Sequence, residues 1–198
     1  MKRSHRRLLQ VVDEALSEAA RRAGPHLACR PGCTECCHGP FPINRLDVLR
    51  LQEGLAELYD RDPGRAAAVL QRAQAQIPLL WEGFPGTPET GVLTGDDEDT
   101  DPYYTRHGGL PCPVLDPDTG RCDLYAHRPL TCRTFGPPVQ VGSTSLPPCR
   151  LCFVGAPESR VEACRVEPDP DGLEDRLLDR LGEEEETLIA FAVAIPLH

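Results

Sequence analysis

Four cysteines crowd into nine residues, Cys29, Cys33, Cys36 and Cys37, in the spacing C-x3-C-x2-C-C. Thiolates are soft, anionic donors suited to zinc and to iron–sulfur clusters. Thiols this close repel one another when ionised, and a cation between them removes that repulsion. Pro31, Gly32, Gly39, Pro40 and Pro42 punctuate the segment as an irregular loop, the setting in which Cys-x2-Cys sulfurs can converge on one ion. Six more cysteines follow: Cys112, Cys122 and Cys132 at intervals of ten, then Cys149-x-x-Cys152 and Cys164. The adjacent pair Cys36 and Cys37 serves two different metal atoms more easily than one. Cys112, Cys122 and Cys132 are therefore expected to complete the coordination, bringing the two cysteine groups together and closing the intervening loop 38–111.

The candidate metal ligands read from this pattern are Cys29, Cys33, Cys36, Cys37, Cys112, Cys122 and Cys132, and the expected cofactor is an iron–sulfur cluster or zinc. The thiolate count and the adjacent pair tilt the choice to iron–sulfur. C-x3-C-x2-C also holds a [4Fe–4S] cluster in radical S-adenosylmethionine enzymes, but this chain lacks the strand–helix pairs to build their barrel. His38, His107 and His127 lie near the cysteines and read as turn or surface residues. Arg128 and Arg133 either hydrogen-bond the thiolates or offset their charge or, for Arg128, pack over the Arg-Pro turn. There is no P-loop, GxGxxG, GxSxG or HExxH element, and no catalytic residue or substrate is identified.

The surroundings favour reduced thiols. The basic start MKRSHRR is followed by LLQVVDEALSEAA, where Asp13, Glu14 and Glu18 interrupt any signal-peptide apolar region, and no stretch reaches membrane-spanning length. A cytoplasmic location follows, where disulfides are the minority state. The formal charge of −10 argues against a duplex nucleic-acid partner. Neither a nucleic acid nor a membrane is expected as partner, and no protein partner is specified.

The elements that must hold these cysteines read as follows. Residues 4–23 form an amphipathic helix on Leu8, Leu9, Val12, Leu16, Ala19 and Ala23, stopped by Gly24-Pro25, with Arg6, Arg7, Arg21 and Arg22 on its solvated face. Asn44 caps a leucine-rich helix, with Asp47 at the capping-box offset. Pro63 opens another helix, ending near Ile77. Residues 81–110, rich in Gly, Pro and acid, read as a surface loop. Pro113–Leu115 and Cys122–Tyr125 flank the turn Asp116–Gly120 as a hairpin. Residues 173–194 read as a C-terminal helix, whose acidic run Glu183–Glu186 is solvated. The fold class is α+β, mostly helical, with one small β-hairpin and long irregular loops organised around a cysteine metal site. The chain, 1–198, is expected to be a single metal-binding domain.

CRPGCTECC, followed by PCPVLDPDTGRCDLYAHRPLTCRTF, resembles the YkgJ-like cysteine-cluster family (CxxCxxCC), a zinc- or iron-chelating domain. The matching residues are Cys29, Cys33, Cys36 and Cys37 in the cluster, Cys112 and Cys122 in the hairpin, and Arg128, Pro129 and Cys132 after it. The resemblance covers about residues 29–155, leaving the terminal helices and the 81–110 insert outside. It implies eight ligating cysteines: seven are those just named, and the eighth is Cys149 or Cys152. Cys164 has no counterpart. The implied function is metal binding with a structural or metal-handling role. The alternative is a small iron–sulfur redox or methyl-transfer enzyme, since some larger flagellin lysine methylases share the cysteine pattern.

Overall fold

The structure is a computed structural model and describes residues 2–94, 97–182 and 185–194. In chain order the elements are α1 (Lys2–Ala23), β1 (Pro42–Asn44), α2 (Arg45–Arg61), α3 (Pro63–Leu80), β2 (Gly86–Thr87), β3 (Val92–Leu93) and α4 (Asp97–His107). They continue with β4 (Leu115–Asp116), β5 (Arg121–Cys122), α5 (Leu130–Thr134), β6 (Val139–Val141) and β7 (Thr144–Leu146). The last are α6 (Glu158–Ala163), α7 (Leu173–Leu181), β8 (Glu186–Leu188) and α8 (Ile189–Ala194). The fold is α+β and mostly helical, with small antiparallel sheets. Two compact units form: Met1–Arg30 with Leu130–Gly182, and Pro31–Pro129 with Glu183–His198.

In the first unit, α1 follows the helical period expected of it. Leu8, Val12, Ala19 and Ala23 are fully buried, while Arg6, Arg7, Arg21 and Arg22 lie on the exposed face. Helices α5 and α7 pack on α1. Arg133 of α5 pairs with both oxygens of Asp13, at 2.7 and 2.8 Å. The hairpin β6–β7 joins through a parallel bridge, Val139 to Val166. Val139 and Val166 are buried with Ala19.

In the second unit, helix starts come from side chains seen in the sequence. The Asn44 side-chain oxygen accepts the Asp47 N–H at 3.1 Å, and Asp62 does the same for Arg65 ahead of Pro63. Asp47 and Arg50 form a buried ion pair on α2. The stretch expected to be a loop, 81–110, instead carries the β2–β3 hairpin and α4 (Gly95 and Asp96 fall outside the described residues). Its order comes from aromatic packing. Trp81 stacks on Phe191 at 4.4 Å between ring centroids, Phe84 meets both edge-on, and Tyr103 is buried beside Leu80, Leu188 and Phe191.

The C-terminal helix is corrected as well. Gly182, in the left-handed region, ends α7. Residues 186–188 then extend as β8, one of the two inner strands of a sheet ordered β1-β8-β3-β2. Leu188 pairs with Pro42, and Thr187 pairs with both Ile43 and Val92. Pairing on both sides outweighs helix propensity here. Of the acidic run, Glu183 and Glu184 lie outside the described residues; Glu185 and Glu186 are exposed.

Candidate metal centre

The first cysteine loop folds back on itself before it meets anything else. Thr34 C=O accepts the Cys37 N–H at 2.9 Å, and the His38 ring nitrogen Nδ1 lies 3.0 Å from the same oxygen. The loop is then zipped to the segment leading into the hairpin. Gly39 N–H donates to Leu110 C=O at 2.7 Å, Cys112 N–H donates to Cys37 C=O at 2.8 Å, and His38 bridges Pro111. Main-chain bonds thus bring Cys36 and Cys37 beside Cys112.

The hairpin brings in the next cysteine. Asp116 builds its turn, accepting from the Thr119 hydroxyl at 2.6 Å and from the Asp118 N–H at 3.1 Å. These bonds, the Thr119 hydroxyl first, hold the Asp116 carboxyl below its usual range. Across the strands Leu115 pairs with Cys122, and Leu115 N–H donates to Cys112 C=O at 2.9 Å. At the turn, a Cβ added to Gly120 would stand 3.5 Å from both the Gly32 carbonyl oxygen and the Thr34 methyl, so the loop carrying Cys33 lies close to the hairpin tip.

Electrostatics link these thiols pairwise. A hydrogen bond with Cys37 is the largest of several effects raising the Cys36 pKa; burial and the charge of Cys37 add to it. Burial pushes the Cys122 thiol up, with Asp123 and Cys36 adding negative charge. Cys112 is pushed up to about 12, first by burial, with Cys122 contributing in the same direction. Each of these effects disfavours a bare thiolate, and a bound cation would oppose them.

The remaining cysteines belong to the first unit. The boundary between units falls at Arg30–Pro31, so Cys29 is grouped apart from its three sequence neighbours. Its sulfur lies against Gly136, where an added Cβ would stand 2.8 Å away; the φ of +121° also calls for glycine there. Gly136 C=O accepts the Cys149 N–H at 3.1 Å, and Cys149 C=O accepts the Cys152 N–H at 2.7 Å. The Cys152 sulfur in turn accepts the Ala28 N–H at 3.4 Å. Cys29, Cys149 and Cys152 therefore surround one turn, while Cys132 sits on α5. Cys164 is fully buried in the apolar cluster that includes Cys152 and Phe153.

The flanking polar residues take definite roles. Arg128 stacks 4.0 Å over the Tyr125 ring and donates to Tyr125 C=O at 3.1 Å, and its positive charge partly offsets the rise of the Cys122 thiol. His127 lies 3.0 Å from the Glu57 carboxylate, and His107 Nε2 lies 3.3 Å from Glu82 C=O. The sequence reading missed the buried carboxylate of Asp123, which two arginines of α3 engage. Its position directly after Cys122 was the available signal, but its partners are far away in sequence.

No group of three or more His, Cys, Asp or Glu that could hold a metal ion is found among the described residues. The chemistry of the donor set nonetheless fits a thiophilic metal. All ten cysteines are thiols without disulfides, and five of them, Cys33, Cys36, Cys37, Cys112 and Cys122, lie in one unit on a loop and hairpin joined by main-chain bonds.

Fold and thiol set together define a small α+β cysteine-cluster protein. Residues 28–152 match the CxxCxxCC family, described as "Putative zinc- or iron-chelating domain", and the chain belongs to that family. The match runs through residues 81–110 as well as the cysteine segments. No curated protein and no solved structure matches the chain.

Proposed function

We propose that this protein chelates a thiophilic metal, with Cys33, Cys36, Cys37, Cys112 and Cys122 as the donors of the second unit. Cys29, Cys132, Cys149 and Cys152 are the donors of the first. The carrying observation is the main-chain zipper that sets Cys36 and Cys37 beside Cys112 and the Cys122 strand. Family membership supports the same reading. The chain serves as one metal-binding domain, since the family match runs through both units. Its role is structural or in metal handling, in a reducing cytoplasm where the thiols stay available.

An iron–sulfur cluster is the favoured cargo, because all-cysteine ligation is usual for such clusters and adjacent Cys36 and Cys37 can serve different iron atoms. Zinc is the second reading, named in the family description; it needs four of these sulfurs in a tetrahedron. When bound, the metal supplies positive charge that keeps the ligating sulfurs ionised. The residues of the chain hold the sulfurs and limit water around them.

Protein purified without oxygen separates the two. An iron–sulfur site gives broad visible absorption with iron and acid-labile sulfide. A zinc site gives a colourless protein with stoichiometric zinc. C36S/C37S should remove most of either. Protein that retains no metal, and takes up none on anaerobic reconstitution with iron and sulfide or with zinc, would overturn the reading.

A further inference from the structure

Helix α3 carries Arg65, Arg72 and Gln76, seven and four residues apart, a spacing that puts them on one face. That face grips the main chain on both sides of Cys112. Gln76 Nε2 donates to Pro111 C=O at 2.6 Å, and Arg72 Nε donates to Pro113 C=O at 2.8 Å. Prolines have no N–H, so these carbonyls are the only main-chain hydrogen-bonding groups the two residues possess. The Cys112 N–H is itself taken by Cys37.

The other arm of the hairpin is held by the same guanidinium. Arg72 Nη2 donates to Asp123 Oδ2 at 2.6 Å, and Arg65 Nε donates to Asp123 Oδ1 at 2.9 Å. The Asp123 side chain is 2% exposed, and it directly follows Cys122. Arg72 therefore spans both arms, contacting the neighbour of each cysteine. Burying a carboxylate is costly and is tolerated only when it is paired. An apolar contact would dock the hairpin as well but would not fix its two arms to one rigid planar group.

We propose that Arg72 is a positioning residue for metal uptake: by holding the Pro113 carbonyl and the Asp123 carboxylate on one guanidinium, it sets the Cys112 and Cys122 sulfurs for the metal before it arrives. This rests on the reading that the hairpin supplies ligands. Outer residues that orient ligands typically contribute about 10–100-fold to metal affinity.

The test is anaerobic titration of the reduced, full-length chain with Co²⁺ against a competing chelator. It reads both affinity and the sulfur-to-cobalt charge-transfer intensity, which reports thiolates per metal. R72M should bind about 10–100-fold more weakly with lower intensity per cobalt. R72K should not rescue it, because one ammonium cannot present the guanidinium fork. R65M, which leaves the Arg72 bridge in place, should change affinity much less. R72M leaves Asp123 with Arg65 as its remaining partner, and R72M/D123L removes that half-satisfied buried carboxylate as well, which keeps the test valid if R72M folds poorly; it should melt near wild type yet still bind weakly. Cobalt bound by R72M/D123L with wild-type affinity and spectrum would overturn the clamp alone. A wild-type chain that binds neither cobalt, zinc nor iron would overturn the chelation reading, and the clamp with it.

Discussion

Gly54 stands in the middle of α2, where glycine costs a helix about 1 kcal/mol relative to alanine. The reason is His127. A Cβ at Gly54 would lie 2.6 Å from the His127 Cβ and Cγ, so the missing methyl lets the turn between Cys122 and Cys132 seat against the helix. G54A should be destabilising despite its better helix propensity, since overpacking costs about 1–3 kcal/mol. Denaturant unfolding measures it, and H127A placed in the G54A background should recover part of the loss. Cys112 makes a second residue-level prediction. Its pKa rises from 9.0 to about 12 on folding of the metal-free chain, so between those values the folded state holds the proton more tightly than the unfolded one. Stability is then full below about pH 9 and falls as pH rises toward 12. The unfolding midpoint of the reduced, metal-free protein should drop over that range, and a midpoint that holds steady would show that folding does not raise the thiol's pKa.

At the scale of elements, side-chain caps set where α2 and α3 begin. The second unit hangs on α2, whose N-terminus follows β1 directly and is closed by the Asn44 oxygen. N44A should cost about 1 kcal/mol, a typical loss for a cap, read as a lower thermal midpoint. These starts were legible in the sequence because capping and proline at the first turn are local chemistry. The apolar period of α1 was legible for the same reason, as was the Asp116–Gly120 turn. Strands of two or three residues such as β2, β3 and β8 were not. Thr187 is extended because Ile43 and Val92 flank it, and its hydroxyl donates to Gly91 C=O at 2.7 Å; none of these partners is near in sequence. Trp81, Phe84 and Phe191 look like isolated aromatics until the fold gathers them. The cysteine types and spacing marked the candidate site, whereas the arginines of α3 that hold its hairpin carry no sequence signature of that role.

For the molecule as a whole, metal binding and folding should be one equilibrium, because thiols held this close favour the folded chain only weakly until a cation joins them. Chelation of the reduced protein should lower its melting temperature, and returning metal should restore it. Differential alkylation followed by mass spectrometry then assigns the donors one cysteine at a time. Cys164 is fully buried in an apolar cluster and should react only after unfolding, with or without metal, which makes it the internal control. Cys33, Cys36, Cys37, Cys112 and Cys122 are only partly buried; they should be slow in the loaded protein and fast after chelation under conditions where Cys164 stays silent. Cys29 is the most telling case, since it is exposed in the chain itself and burial alone cannot shield it. Its protection on metal loading would identify it as a donor of the first unit. If the five cysteines of the second unit react equally fast with and without metal, the chain binds its metal elsewhere and the loop-and-hairpin centre is wrong.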